Sequence, residues 1–300
     1  MVDLHTHSNI SDGDFSPDLL IKEAVRQSLR AIALTDHDTI NGLECAEKAA
    51  AEVQDSFFNK NGAAFRFIPG IEIEINAAKL PYGMARPGPG GEFHLLGLGI
   101  KAPTAHFIDA IDKLALRREA RNREILDRMH ELSIEATWDE FLSLCGGNTP
   151  GRPHFAKLLV KHKIVRNVNQ AFARYLGTGK PLYVPKDGMV FEEAVAIIRE
   201  SGGIPVLAHP VSLYVAWGRL PDLIKTLKEM GLMGLEAWHP NTKPGSCRRL
   251  EALGRSLDLY ITEGSDFHGC TRPDRKIGYS GKNRKISDAV LEAIPELAGI

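Results

Sequence analysis

Cysteine is sparse in this chain: among 300 residues only Cys45, Cys145, Cys247 and Cys270 occur, far apart and with no CxxC pair. That spacing excludes a zinc knuckle and argues against a disulfide frame, leaving reduced thiols such as cytosolic proteins keep. Long apolar runs are missing as well. None approaches the ~18 residues that a membrane span requires. The chain begins MVDLHTHSNISDGD where a signal peptide would have its apolar core. A cytoplasmic protein without membrane association is therefore expected. Nor does one sign of charge prevail. Lys and Arg number 37 against 38 Asp and Glu, a formal net charge of −1, whereas a dedicated nucleic-acid scaffold usually carries a basic excess. No GxSxG elbow is present and no cysteine sits in a nucleophile context. The GPGG in the middle of the chain is not followed by GK[ST], so it is no phosphate loop.

What is there is ordinary globular composition, 43% hydrophobic and 25% charged, in a length that suits one large α/β barrel or two modest domains. Short apolar segments bounded by turn residues predict seven strands: VDLH (2–5), AIALT (31–35), FIPGIEI (67–73), HLLGLGI (94–100), IPVLAH (204–209), MGLEAW (233–238) and LYITEG (259–264). Their near-continuous apolar character suits a parallel sheet buried on both faces. Amphipathic stretches alternate with them at 16–29, 41–54, 191–200, 219–230 and 246–257. The first of these offers Ser16 as N-cap and Pro17 at the first helical position. Such alternation predicts a barrel or an open doubly wound sheet.

Two segments break the rhythm. Residues 79–93 are rich in Gly and Pro and read as a long hairpin or a flap. Residues 104 to about 190 read as helical throughout, an insertion between the fourth and fifth strands. It holds 14 Lys and Arg against 10 Asp and Glu; a charged helical face is most simply a solvated one, the alternative being a seat for an anionic substrate.

The histidines carry the chemistry. On a strand, residues i and i+2 face the same way, so His5 and His7 can converge on one point, with Asp12 delivered by the following turn. His37 in TDHD closes the second strand, Glu72 lies in the third, His94 begins the fourth, His209 ends the fifth, and Asp266 and His268 follow the seventh. Six of the eleven histidines thus fall at five strand ends, the edge where parallel barrels build their sites. Each alone would be an ordinary buried histidine; together they form a metal-ligand set. Asp36 and Asp38 could orient imidazoles or cap the next helix, Glu74 reads as structural, and His106, His130 and His162 as surface residues. Nine ligands exceed one tetrahedral zinc and suit two or three ions, and mixed imidazole and carboxylate donors suit Mn²⁺, Fe²⁺ or Zn²⁺. A closely spaced metal pair points to hydrolysis of a phosphate ester by water.

The motifs DLHTHSNISDG, ALTDHDTINGL, GIEIE, the His of FHLLGLGI, LAHP and GSDFHG, spread over residues 3–269, resemble those of the PHP family of polymerase- and histidinol-phosphatase-like metal phosphoesterases. The resemblance implies a distorted (β/α)7 TIM-like barrel (residues 1–103 and 191–300) with an inserted helical subdomain (104–190) that binds substrate. It implies a trinuclear centre: His5, His7, Glu72 and Asp266 hold one ion, Glu72 bridges to a second completed by His94 and His209, and Asp12, His37 and His268 hold a third. Within the family, GRPHFAKLLV and YLGTGKPLYV resemble segments of nucleotide phosphoesterases that remove the 3′-phosphate of 3′,5′-bisphosphonucleotides or trim short RNA from the 5′ end. Arg152 and His154 would then face a phosphate, Lys180 and Tyr183 would line the same cleft, and His239 would be a substrate contact or general acid. Asp266 and His209 would share in catalysis. The expected partner is a small nucleotide such as AMP or a 3′,5′-bisphosphonucleotide, or an oligonucleotide, with no obligate protein partner. A histidinol-phosphate phosphatase is the competing enzyme, and a non-catalytic metal-binding module the competing class.

Overall fold

A computed structural model describes residues 1–80, 88, 91–146 and 149–298. Strands and helices alternate as β1 (Val2–Asp3), α1 (Pro17–Arg26), β2 (Ala31–Leu34), α2 (Leu43–Asn61), β3 (Arg66–Glu74), β4 (His94–Leu98), α3 (Ala105–Glu131), α4 (Trp138–Cys145), α5 (Arg152–Lys161), α6 (Val168–Ala171), α7 (Phe191–Glu200), β5 (Ile204–Leu207), α8 (Leu220–Glu229), β6 (Gly234–Trp238), α9 (Pro244–Ser256) and β7 (Tyr260–Glu263). The strands form one sheet in sequence order. It curls until the segment after β1 meets the segment after β7, where Thr6 bridges Phe267 and the Asp266 amide donates to the His5 carbonyl at 2.8 Å. The result is a nearly closed seven-stranded barrel. All seven predicted strands are present.

The sheet is not all parallel. β4 runs antiparallel to both β3 and β5, while the remaining pairs are parallel. This corrects the parallel reading and resolves an oddity in the sequence: His94 begins its strand, and reversing that strand brings its start to the rim where its neighbours end. Apolar residues two apart along the strands, Ala31 and Ala33, Leu96 and Leu98, Ile204 and Val206, pack with Val2, Ile68 and the C-terminal Ile286, Leu291 and Leu297 as one fully buried cluster. Period-2 geometry carries the same faces upward from this cluster. Glu72 lies above Ile68, and His94 above Leu96.

Between β4 and β5 the chain leaves the barrel on the long helix α3. Its first half buries Phe107, Ala110, Ile111 and Leu114 in the cluster around the barrel, and its second half buries Ile125, Leu126 and Met129 in a separate cluster with Phe141, Phe155 and Leu159. The helix thus shares its apolar stripe between two cores. The segment is helical only to Leu176, where α6 continues into a π-helical turn, Phe172–Leu176. Residues 177–182 form turns and 183–190 an irregular, non-helical stretch, which corrects the expectation of helix throughout; Gly177, Gly179, Pro181, Pro185 and Gly188 explain it, since Gly and Pro disfavour helix interiors. A short hairpin, β8 (Tyr279–Ser280) with β9 (Arg284–Lys285), was not foreseen. Ser16 occupies the N-cap of α1, but its hydroxyl donates to Asp18 rather than accepting from the helix. Most of the 79–93 stretch lies outside the described residues. Among those described, no helix is long and apolar enough to cross a membrane.

Candidate metal centre

The barrel rim gathers all nine expected ligands. Their donor atoms fall into groups lying within 4.8 Å of one another: His7, Asp12, His37 and His268; His5, His7 and Asp266; His5, Glu72 and His209; His37, Glu72 and His94. His5, His7, His37 and Glu72 each belong to two groups, so the groups are contiguous. Two ligands stand on strained backbone. His209 (φ 27°) and Asp266 (φ 50°) both follow the last residue of a strand in left-handed conformations, which cost stability and concentrate at functional sites. The loop carrying Asp12 turns at Gly13, where a Cβ would stand 2.5 Å from the His7 carbonyl oxygen.

Hydrogen-bond accounting tests whether cations fit here. His5 Nε2 and His7 Nε2 face each other at 3.1 Å, and His94 Nδ1 and His209 Nε2 at 3.3 Å. His94 Nε2 lies 2.9 Å from Glu74 Oε2 and donates to it, so in the neutral ring the lone pair is on Nδ1, pointed at Glu72 Oε1 2.9 Å away. Glu72 Oε2 is buried and, among the described residues, makes no hydrogen bond, although imidazole nitrogens of His37, His5 and His7 stand 3.1, 3.3 and 3.3 Å from it. Acceptors turned toward acceptors need positive charge between them. Without a metal that charge comes from protons. Burial pushes the His7 imidazole down, but the adjoining Asp266 and Glu72 carboxylates outweigh it and raise it to about 9; His94 rises to about 10 against its burial, through Glu72 and Glu74. His37, dominated by burial, falls to about 3. Burial opposes ionisation of Glu72 and Asp266, yet the surrounding imidazoles hold both well below the usual carboxylate range. The donor set fits divalent cations.

Behind the ligands stands a layer that was only partly foreseen. Glu74, read as structural, is the partner of His94 and is itself paired with Lys186, an arrangement that orients metal-ligating histidines. Asp36 neither bonds an imidazole nor caps α2; it accepts from the Ser8 amide and from the hydroxyls of Ser8 and Ser11, pinning the Asp12 loop. Asp38 accepts from the Glu74 amide and pairs with Arg118. Two residues were missed. Arg275 is buried and donates to Asp266 Oδ2 at 2.6 Å, with the same nitrogen 3.0 Å from His239 Nε2; in the polar TRPDRK run nothing set it apart from neighbouring Arg272. Glu236 lies in the apolar strand GLEAW, where a single buried carboxylate was the available clue.

A cavity of about 310 Å³ opens over the rim. One wall is Asp12, His37, Glu72, His94, His209, Asp266 and His268; the opposite wall is Arg117, Arg118, Arg121, Arg152 and His154 from α3 and α5. Burial lowers Arg118 and Arg121 to about 10. Arg121 donates only to neighbouring Asn122, at 3.2 Å, and among the described residues its buried Nε has no partner. Arg152 lies over the Tyr183 ring, 5.7 Å from its centroid. His154 Nδ1 accepts from the Gly151 amide at 3.2 Å, and burial lowers its pKa, so its proton sits on Nε2. The expectations for three residues are displaced. Lys180 is exposed and does not line the cavity, and Tyr183 supports Arg152 instead of lining the cleft. His239 is buried behind Asp266: its Nδ1 accepts from the Asn241 amide, so its Nε2 donates to Asp266 Oδ2, 3.1 Å away, and burial lowers its pKa, which does not suit a general acid facing substrate.

Comparison with known proteins gives the same picture. The family described as PHP domain matches residues 3–178. The 5′-3′ exoribonuclease Rnm of Salmonella typhimurium is 30% identical over 266 residues, covering 89% of this chain and 84% of its own. The 3′,5′-nucleoside bisphosphate phosphatase of Chromobacterium violaceum is 28% identical, covering 93% of this chain and 91% of its own. The crystal structure of a protein from Bifidobacterium adolescentis, assigned as a metal-dependent phosphoesterase, superposes with a TM-score of 0.78 over 98% of this chain and 96% of its own, at 25% identity.

Proposed function

This chain belongs to the PHP domain family, and on that premise we propose that it is a metal-dependent phosphoester hydrolase of small nucleotides, removing the 3′-phosphate of 3′,5′-bisphosphonucleotides or cleaving short RNA from its 5′ end. Residues 1–103 and 191–300 form the phosphoesterase barrel and 104–190 the substrate-binding part. The observation that carries the reading is the pairing of two walls: a rim whose acceptors need cations faces arginines, of which Arg121 and Arg152 form no ion pair among the described residues. Substrate with two separated anionic groups answers both.

Three divalent ions would be held, one by His5, His7, Glu72 and Asp266, one by Glu72, His94 and His209, and one by Asp12, His37 and His268. Mn²⁺ is the preferred ion, with Fe²⁺ and Zn²⁺ acceptable to the same donors. Bound there, such ions supply Lewis acidity, drawing phosphoryl oxygens and making water a stronger nucleophile. The chain's own contribution is placement. Arg275 and His239 hold Asp266 by Oδ2, leaving Oδ1 toward the ligand cluster; His239 thus acts through Asp266. His209 is fixed by Ser212, 2.6 Å from its Nδ1. Arg121 and Arg152 receive the second anionic group, Arg152 with the forked geometry that suits phosphate, and His154 Nε2 donates beside them. A cytoplasmic setting, where the four thiols stay reduced, completes the proposal.

The test is phosphate release from 3′,5′-bisphosphoadenosine, AMP and histidinol phosphate, and mononucleotide release from 5′-phosphorylated short RNA, each with Mn²⁺. Turnover of the bisphosphonucleotide or the RNA well above histidinol phosphate is expected. Preference for histidinol phosphate, or no turnover of any nucleotide, contradicts the reading.

A further inference from the structure

We propose that Glu236 is a positioning residue that fixes two metal ligands from opposite sides of the barrel, His5 and His209, and sets which nitrogen of His5 faces the metals. The proposal rests on the metal reading of the rim and is independent of the nucleotide assignment.

Glu236 lies in β6 with its side chain 1% exposed. Its Oε1 is 3.0 Å from His5 Nδ1, and its Oε2 accepts the backbone N–H of His209 at 2.7 Å. His5 follows β1, across the barrel opening, and His209 follows the neighbouring β5 on strained backbone. One carboxylate therefore ties the two edges of the site together. The fold makes room for it at Gly264, where a Cβ would stand 2.3 Å from His5 Cβ and 2.7 Å from Glu236 Oε1.

Donor arithmetic gives the role its specificity. The His209 amide can only donate. An ionised carboxylate is acceptor-only at both oxygens, so His5 must donate through Nδ1. Its Nε2 then turns a lone pair to the ligand cluster, 3.3 Å from Glu72 Oε2. Glutamine cannot do this. With its oxygen toward the His209 amide, its NH₂ faces His5 Nδ1 and drives the proton to Nε2. With the amide reversed, two donors collide at His209. Aspartate keeps both acceptors but is one methylene shorter.

The experiment uses the full chain loaded with Zn²⁺ and labelled with ¹⁵N-histidine. In the wild type, His5 is expected to show a protonated Nδ1 and an unprotonated Nε2. Zn²⁺ affinity, measured by competition with a chromophoric chelator, should fall about 10–100-fold in E236Q, the usual cost of losing an orienting partner, and fall less in E236D. A wild-type His5 carrying its proton on Nε2 overturns the proposal, as does E236Q binding Zn²⁺ like the wild type, or E236D losing as much as E236Q. The wild-type spectrum decides the matter even where E236Q fails to fold, and no substrate enters the measurement.

Discussion

One wall of the cavity is the barrel rim, where mostly buried imidazoles and carboxylates rise from strand ends, braced from behind by Glu74, Asp36 and Arg275. The other is the helical segment, where Arg118, Arg121 and Arg152 project from α3 and α5 with fewer fixed partners. The rim gathers groups that ligate cations, and the helices present guanidinium groups, which attract anions. Neither wall is electrostatically complete alone: acceptors face acceptors on one side, and on the other a buried guanidinium nitrogen lacks a partner among the described residues. A phosphate ester seated between them is the chemistry common to both deficits.

The largest effect expected from breaking this contrast is on the rim. Asp266→Ala or His7→Ala should lower phosphate release by about 10²–10³-fold or more, the scale of losing a group that stabilises transition-state charge, with metal content falling in parallel. Metal analysis beside the assay checks that link, and full metal content with lost activity would separate binding from catalysis. The helical wall should respond differently. Arg121→Ala removes a charge-assisted contact worth about 1.5–3 kcal/mol, so KM for a bisphosphonucleotide should rise about 10–100-fold at unchanged metal content. An equal loss for a substrate with a single phosphate would undo the assignment of Arg121 to the second anion.

A smaller effect concerns pH. In the metal-free protein His7 and His94 are raised above the ordinary histidine value, to about 9 and about 10. Their contribution to stability is complete below about pH 6.5, the unfolded value, and is lost as pH rises through 9 and then 10. Thermal melts in chelator from pH 6.5 to 10.5 should show this decline. Metal-loaded protein should not follow it, because ligation displaces those protons and tightens as pH rises. The smallest effect is at Lys180, exposed and away from the cavity, where Lys180→Ala should leave KM and kcat within twofold (~0.4 kcal/mol), as surface substitutions usually do.

The two walls also differ in how far the sequence disclosed them. Most of the candidate ligands sit where an apolar run meets His or Asp, a local pattern that needs no knowledge of distant contacts; Asp12 in a turn and Glu72 inside its strand lie outside it, and even His94, at the wrong end of its strand, sits at the rim once β4 is reversed. The arginines of α3 carried no such mark, because in REARNREILDR a cavity-facing Arg and a solvated one look alike until the turn of the helix is fixed by its packing. Glu236 and Arg275 escaped for a related reason. Their partners lie 231 and 9 residues away in sequence, and only barrel closure brings the first of these into reach. His239 shows the converse failure: its strand-end position matched the ligand pattern, yet Asp266 draws it behind the site.

The account stands most directly on crystals grown with Mn²⁺ and inorganic phosphate and measured at the manganese absorption edge. Anomalous peaks within coordinating distance of Glu72, with phosphate between them and the arginines of α3 and α5, are the expected result. A rim without anomalous scattering, its imidazoles bonded only to carboxylates and water, would contradict it.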